Sequence, residues 1–488
     1  MKFNKYISIA ILAFGISSCD NFLDLQPISE ETTESAYNKA SQIESALTGT
    51  YESFQSEYYV WDHVTFSDVR ADNYYAGGDN PEVFQADLLT VSPTNSRVFN
   101  HWSNLFNAIL KANTVIDKVD LVQDPLLSEE RRTQIKGEAY FLRAFHYFNL
   151  VKLFGGVPLV LEPTKSTDPD VVRLPRSSVE EVYAQIVADL TVAATALPDT
   201  YGNDASVNKA RATAGAANAL LAKVYAQAGQ WENALSAIQK VEQSAANYEL
   251  IDYSHLFDGN HYNNSESILE VQYLGTNEGN YGPQLLLPPS ISGDTWRKFV
   301  TPSHDLINAY DAEGDDVRKS ASILFEEVTW VDEYWGNTSG STIPFGYKWK
   351  NAMGWASTDR PYLLRFGDII LLKAEALNET GKLGEAVVEV DKIRARANLD
   401  PLAADKKSSK EVLRMAILNE RRLELAQEGH RWDDLVRHNL AVETMNNLVE
   451  IDLRTNQPVN YNMTEAKILL PIPQQELDRN PNLTQNPL

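Results

Sequence analysis

The strongest constraint on the fold is a stretch, residues 212–245, in which small and large side chains alternate at helical spacing. Alanine and glycine recur where two helices would approach closely, and larger apolar residues fill the positions between them. A turn at residues 228–230 stands where two such helices must reverse direction. The pattern returns at residues 365–397, and weaker copies occupy residues 139–151 and 415–435.

These helix pairs follow the tetratricopeptide pattern, and such repeats bury their apolar faces only by stacking on one another. We therefore expect a mainly α fold with a stacked helical scaffold. Apolar spacing predicts further helices at residues 36–54, 96–119 and 179–197. Another helix is predicted to begin after Ser128, a plausible N-cap, and to run to about Phe154.

Two segments lack helical spacing and are rich in aromatic residues, one at residues 57–91 and the other at residues 251–362. Both carry glycine and asparagine turn signals, and the second holds five of the nine tryptophans. Long irregular segments inside a compact scaffold are usually functional or disordered, and aromatic richness argues against disorder. We therefore expect a loop-rich ligand-binding region built from these two segments.

The N-terminus predicts export and a lipid anchor. Lys2 and Lys5 precede a short apolar run at residues 7–14, and small residues lead directly into Cys19, as in a bacterial lipobox. The prediction is a signal peptide at 1–18, a lipidated tether at 19–35 and one domain at 36–488. The alternative is an ordinary cleaved signal with a chance cysteine nearby. Because Cys19 is the only cysteine, an internal disulfide is excluded.

The formal net charge of −24 disfavours nucleic acid and anionic membrane surfaces as partners of the folded body. Family resemblance gives a more specific expectation, because several sequence blocks occur in a recognisable order after the lipobox. The blocks are Glu138–Phe145, Leu153–Leu159, Arg365–Asn378, Ile393–Ala397, Glu420–Leu425, Glu428–Leu435, Leu470–Pro473 and Asn480–Pro487. In this order they resemble the SusD/RagB family of Bacteroidetes, and the resemblance covers nearly the whole chain.

The resemblance implies tetratricopeptide-like helix pairs packed against an irregular region. It also implies a lipoprotein on the outer face of the outer membrane, partnered by a SusC-like TonB-dependent transporter. Members of this family bind glycans, or in some cases peptides, without cleaving them, so neither catalytic residues nor a cofactor are expected. Two other readings stay open: an interaction scaffold without its own nutrient site, and a surface hydrolase.

Charged and histidine residues give little sign of catalysis or metal binding. The acidic and arginine residues of these sequence blocks, and the pair Asp315 and Arg318, are interpreted as ion pairs between helices, because buried charges must be paired. His255 and His261 are spaced too loosely to favour a metal over two surface side chains, so no metal site is predicted. Motifs for phosphate binding or a serine nucleophile are absent from the sequence.

Aromatic residues beside polar ones are the candidates for ligand binding, because sugar rings stack their C–H faces on aromatic rings while their hydroxyls seek polar partners. The alternative is core packing, which also uses aromatic side chains. The candidates are Tyr58, Trp61, Arg70, Asp72, Asn73, Tyr74 and Tyr75 in the first segment, and Asn280, Tyr281, Trp296, Trp330, Tyr334 and Trp335 in the second.

Overall fold

The computed structural model describes residues 37–332, 334–336, 341–452 and 454–487. The predicted signal peptide, Cys19 and the tether lie outside these residues. The described chain is mainly α, as predicted. Its longer helices are Ala40–Tyr51, Ser96–Val119, Glu129–Phe154, Val179–Ala196, Ala214–Gln227, Trp231–Glu242, His304–Glu313, Phe366–Glu379, Leu383–Arg396 and Lys410–Leu425.

Shorter helices connect the long ones. They are Pro81–Asp87, Pro169–Val172, Ala205–Ala210, Tyr253–Leu256, Gly282–Leu286, Pro289–Ser292, Asp316–Ser322, Arg431–Arg437, Ala441–Asn447 and Gln474–Arg479. Turns of 3₁₀-helix lie at Glu52–Gln55, Met353–Trp355, Ala404–Lys407 and Glu465–Lys467, and π-helical turns at Tyr58–Asp62 and Thr65–Val69. None of the helices within the described residues is both long enough and apolar enough to cross a bilayer.

Within the residues that the structure describes, strands form four small antiparallel pairs. The paired strands are Tyr74–Ala76 with Val300–Pro302, Ser267–Glu270 with Tyr362–Arg365, Ile323–Val328 with Ser341–Gly346, and Ile451–Asp452 with Gln457–Pro458.

The helical scaffold confirms the predicted pairing. Helix Ala214–Gln227 packs against Trp231–Glu242, and Phe366–Glu379 packs against Leu383–Arg396. Ser128 caps its helix as expected, because its hydroxyl accepts a hydrogen bond from the backbone N–H of Arg131 at 3.1 Å. The scaffold therefore buries one large apolar cluster along the stacked helices.

The prediction that residues 57–91 lack helical structure is wrong over much of the segment. Two π-helical turns and the helix Pro81–Asp87 lie here. Every side chain from Tyr58 to Asp62 is buried, so no polar face exists to give the sequence a helical period. The segment 251–362 holds strands and only short helices apart from His304–Glu313, as its sequence suggested.

Candidate functional site

The two aromatic-rich segments meet in the structure. Strand Tyr74–Ala76 of the first segment pairs with strand Val300–Pro302 of the second, with Tyr75 opposite Thr301. Beyond the strand, the backbone N–H of Gly77 donates to the carbonyl oxygen of Phe299 at 3.0 Å. The pairing therefore places the glycine turn of the first segment against the turn that carries Trp296.

Five partly buried rings gather on the second segment beside this pairing, and we call them the aromatic surface. They are Trp296, Phe299, His304, Trp330 and Trp335. The ring centroids of Trp296 and Phe299 lie 5.4 Å apart, and those of His304 and Trp335 lie 3.9 Å apart. Phe325, 41% exposed, adds an edge-on contact with Trp335 at 6.5 Å.

Asp332 joins the two halves of the aromatic surface. A guanidinium nitrogen of Arg297 lies 3.6 Å from its carboxylate, and the Trp335 backbone N–H donates to it at 3.3 Å. The Tyr75 hydroxyl also donates to this carboxylate, at 3.0 Å. One buried carboxylate thus holds the turn of Trp296, the turn of Trp335 and the first segment together.

Local contacts fix the individual rings. The ammonium of Lys298 lies 3.9 Å from the ring centroid of Trp296, and it also donates to the Gln284 carbonyl oxygen at 3.0 Å. This cation supports the indole electrostatically. His304 begins its helix, whose N-cap Ser303 accepts from Leu306 and donates from its hydroxyl to the Asp72 carbonyl oxygen at 2.7 Å.

Close backbone approach requires glycine in the adjoining turn. A Cβ at Gly77 would overlap the carbonyl oxygen of Lys298, and one at Gly78 would lie 2.8 Å from the Phe299 ring. Gly78 also has a φ of +68°, a conformation that other residues adopt only with strain. The two glycines let the first segment lie directly beneath the aromatic surface.

The candidates of the first segment lie in the interior. Each of these side chains is at most 6% exposed: Tyr58, Trp61, Arg70, Asp72, Asn73, Tyr74 and Tyr75. These seven side chains therefore present little surface to solvent, and their contact with a ligand stays a prediction. Their alternative interpretation as core packing describes the structure, because almost all of them are engaged by neighbouring side chains or backbone.

Two examples show how the interior holds them. Arg431 contacts both carboxylate oxygens of Asp72 at 2.7 Å, and Arg422 approaches at 3.4 Å. Burial acts to raise the pKa of Asp72, but these two guanidinium groups hold that pKa below its ordinary value. Arg70 lies 4.2 Å over the Trp432 ring and donates to the Lys467 carbonyl oxygen at 2.6 Å.

The candidates of the second segment divide into two groups. Asn280 and Tyr334 are buried: the Asn280 amide donates to the Asp359 carbonyl oxygen at 3.0 Å, and the Tyr334 hydroxyl donates to Glu450 at 2.8 Å. Trp296, Trp330 and Trp335 belong to the aromatic surface. Tyr281 is partly buried and packs on the core beneath that surface.

Tyr334 is the internal support of the aromatic surface. Its ring stacks on Tyr75 at 3.8 Å and on His304 at 4.5 Å. Burial raises the pKa of Glu450, its hydrogen-bond partner, to about 8. Burial likewise lowers the pKa of His304, so the imidazole in the surface is mainly neutral at pH 7.

Sequence reasoning missed Phe299, His304 and Phe325. Phe299 follows Trp296 by three residues, and that spacing in an aromatic-rich turn was a usable signal. No local pattern marks His304 or Phe325, since both join the surface through contacts with the turn that carries Tyr334 and Trp335.

The charged residues of the sequence blocks form buried ion pairs, as interpreted from sequence. Arg365 contacts Glu424 at 2.7 Å, and Arg437 contacts Glu375 at 2.5 Å, with all four side chains buried. Asp315 and Arg318 also pair at 2.5 Å in the interior. These carboxylates are engaged by arginines inside the scaffold and do not line the aromatic surface.

A separate apolar groove of about 690 Å³ lies on the helical scaffold. Helices Val179–Ala196 and Ala214–Gln227 form its walls, with Tyr183 and Tyr225 among the lining residues. None of the residues that line this groove belongs to the aromatic surface.

Comparison with known proteins finds one family across both ends of the chain. A model described as the SusD family matches residues 328–488, and one described as starch-binding, associating with outer membrane, matches residues 21–226. SusD-like protein P2 of Formosa agariphila is 28% identical over 99% of each chain. Starch-binding protein SusD of Bacteroides thetaiotaomicron is 24% identical over 98% of this chain and 97% of its own.

Solved structures agree with the sequence comparisons. A SusD superfamily protein from Bacteroides vulgatus matches 92% of this chain and 99% of its own, with 26% identity and a TM-score of 0.78. A laminarin binding SusD-like protein matches 92% of this chain and all of its own, with 27% identity and a TM-score of 0.74.

Proposed function

The chain belongs to the SusD family, and from this premise we propose that it binds glycans at the cell surface without cleaving them. The aromatic surface is the binding site, and the bound oligosaccharide passes to a SusC-like TonB-dependent transporter. The lipid on Cys19 holds the protein at the outer face of the outer membrane. The observation that carries the proposal is a group of partly exposed rings held beside the polar pair Arg297 and Asp332.

This arrangement suits sugars for a physical reason. Aromatic faces bury the C–H faces of a pyranose, and a partly exposed ring loses water on binding at little cost in conformational freedom, because two buried elements already fix it. Two relatives support the ligand class, since one is named for starch binding and another for laminarin binding. Glycan binding is non-catalytic in this proposal, because the carboxylates of the sequence blocks are paired with arginines inside the scaffold.

Affinity electrophoresis and calorimetry against a panel that includes starch and laminarin test the proposal. We expect Trp296→Ala and Trp335→Ala to weaken binding of the recognised glycan about tenfold each, which corresponds to about 1.4 kcal/mol. Trp231→Ala is the matched control, because this tryptophan stacks on His438 within the helical scaffold. The control retains the wild-type affinity if the protein is folded by circular dichroism.

Two outcomes contradict the proposal. Binding of peptides with no binding of any glycan would remove the ligand class and favour the peptide-binding alternative. Release of reducing sugar from a bound polysaccharide would make the protein a hydrolase. Co-purification of the membrane-bound protein with a TonB-dependent barrel tests the transporter partner separately.

A further inference from the structure

A tight turn at the start of the second segment brings three metal-ligand side chains together. Within the described ranges, donor atoms of His255, Asp258 and His261 all lie within 4.8 Å of one another. The two imidazole rings stack with centroids 3.9 Å apart, and a carboxylate oxygen of Asp258 lies 2.6 Å from Nδ1 of His261. The sequence spacing did not anticipate this proximity, because it depends on how the chain folds back after Leu256.

The turn is held by its own hydrogen bonds. One carboxylate oxygen of Asp258, Oδ1, accepts from the backbone N–H groups of Asn260 at 2.8 Å and His261 at 3.1 Å. Gly259 supplies the positive φ of +73° that the reversal requires. With Oδ1 engaged by the backbone, Oδ2 is the oxygen directed toward the imidazoles.

Both ends of the turn are anchored to the scaffold. Tyr253 is buried, and its hydroxyl donates to the Glu424 carbonyl oxygen at 3.3 Å. The Tyr362 hydroxyl donates to the Leu256 carbonyl oxygen at 2.9 Å and accepts from the Asn264 amide at 2.8 Å. That amide also donates to the His261 carbonyl oxygen at 2.8 Å. The backbone that carries the three side chains is therefore fixed before any ion binds.

The donor set selects a class of metal. Calcium and magnesium take oxygen ligands, whereas two imidazoles and one carboxylate suit zinc and its neighbours in the first transition series. Zinc–ligand bonds of about 2.0–2.2 Å in a tetrahedron separate the donor atoms by about 3.3 Å. Rotation of the two exposed histidine side chains can bring the donor atoms to this separation, lengthening the 2.6 Å contact between Asp258 and His261 and shortening the longer distances.

We propose that His255, Asp258 and His261 bind a divalent transition-metal cation of the Zn²⁺ class. Three protein ligands leave one tetrahedral position for water or for a donor atom of another molecule. Because the histidines are exposed, that position faces solvent. Metal binding would add three ligand bonds across this turn, at the point where the scaffold passes into the irregular second segment.

Calorimetry with ZnCl₂, on full-length protein purified without a polyhistidine tag, tests this site. We expect one Zn²⁺ per chain with micromolar affinity, and a Co²⁺ complex with the visible absorption of tetrahedral coordination. His255→Ala combined with His261→Ala should abolish both signals. Asp258→Asn should weaken binding about 10- to 100-fold, since its amide oxygen still accepts the turn hydrogen bonds but carries no charge.

Asp252→Asn is the matched control. Asp252 also accepts a backbone N–H, that of Ser254 at 2.9 Å, and it precedes His255 by three residues without belonging to the ligand group. This variant should bind Zn²⁺ with wild-type affinity. Absence of Zn²⁺ binding up to millimolar concentration, or binding that survives the double histidine substitution, would overturn the proposal. Unchanged binding by Asp258→Asn would remove Asp258 from the ligand set.

Discussion

The first aromatic-rich segment and the aromatic surface have similar compositions and opposite placements. Tyr74 and Tyr75 have their rings and hydroxyls enclosed, whereas Trp296 and Trp335 remain partly exposed. Both sets alternate aromatic and polar residues among turn signals, so local sequence does not separate them. The difference arises from which elements cover each segment in the folded chain.

Arginines from distant parts of the chain hold the polar side chains of the first segment in the protein interior. Arg422 and Arg431, more than 340 residues further along the chain, supply the charges that pair Asp72 and the hydrogen bond that holds Asn73. The aromatic surface has one carboxylate, Asp332, as its shared support, and no comparable arginine cluster is seen over it among the described residues. A segment becomes part of the core when other parts of the chain supply buried partners for its polar side chains, and residue type alone does not decide this.

The largest test of this comparison is Asp72→Ala. The substitution leaves the buried guanidinium group of Arg431 without its carboxylate, and loss of one partner of a buried pair costs about 3–5 kcal/mol. We expect the free energy of unfolding in urea to fall by that amount. Asp79→Ala, at an exposed aspartate in the adjoining turn, should change it by less than about 0.5 kcal/mol. If the two substitutions lowered the free energy of unfolding equally, the first segment would not differ from the surface in its dependence on buried charge pairs.

A second test concerns Glu450, which supports the aromatic surface through Tyr334. Because the pKa of Glu450 rises to about 8 on folding, the folded state keeps a proton that the unfolded state loses above about pH 4.5. The stability that this proton contributes is fully present below about pH 4.5 and is lost as the pH rises through about 8. Glu450→Gln imitates the neutral carboxyl, so it should flatten this dependence.

We expect the stability of the wild type, relative to Glu450→Gln, to fall by about 3.5 kcal/mol between pH 5 and pH 8. Urea unfolding across this pH range measures the difference. The Glu450→Gln variant is the reference, because its pH dependence comes from the other groups that titrate in this range. Parallel curves for the two proteins would mean that the support of the surface is already ionised when folded.

Much of the scaffold was predictable from sequence, because its helices carry one apolar face. The helix Ser96–Val119 has the bounds that its spacing indicated, and Ser128 caps the next helix as expected. The π-helical turns from Tyr58 were not predictable, since a helix buried on all sides has no amphipathic period. Composition pointed to two aromatic-rich segments but could not tell which of their aromatic side chains would be partly exposed.

Pairing between distant segments explains that limit. Strand Tyr74–Ala76 meets strand Val300–Pro302 across more than 220 residues, and no local pattern encodes the partner. This pairing, together with Asp332, brings Tyr75 against the Tyr334 ring, with 3.8 Å between the ring centroids. The His255–His261 turn shows the same limit on a shorter scale, because backbone reversal creates a proximity that spacing alone did not indicate.

The smallest and most specific test is Gly78→Ala, at the contact between the two regions. The added Cβ would lie 2.8 Å from the Phe299 ring at a backbone φ of +68°, so both strain and overlap oppose it. We expect a stability loss of about 1 kcal/mol, from the positive φ and a small displacement of the ring. Because Phe299 contacts Trp296, glycan affinity should also fall, by less than in Trp296→Ala.

Gly202→Ala is the matched control, since Gly202 has a φ of +121° with open space around its Cβ position and lies in the scaffold. It should lose stability without losing affinity. An equal effect of both substitutions on affinity would show that the first segment does not shape the aromatic surface from below.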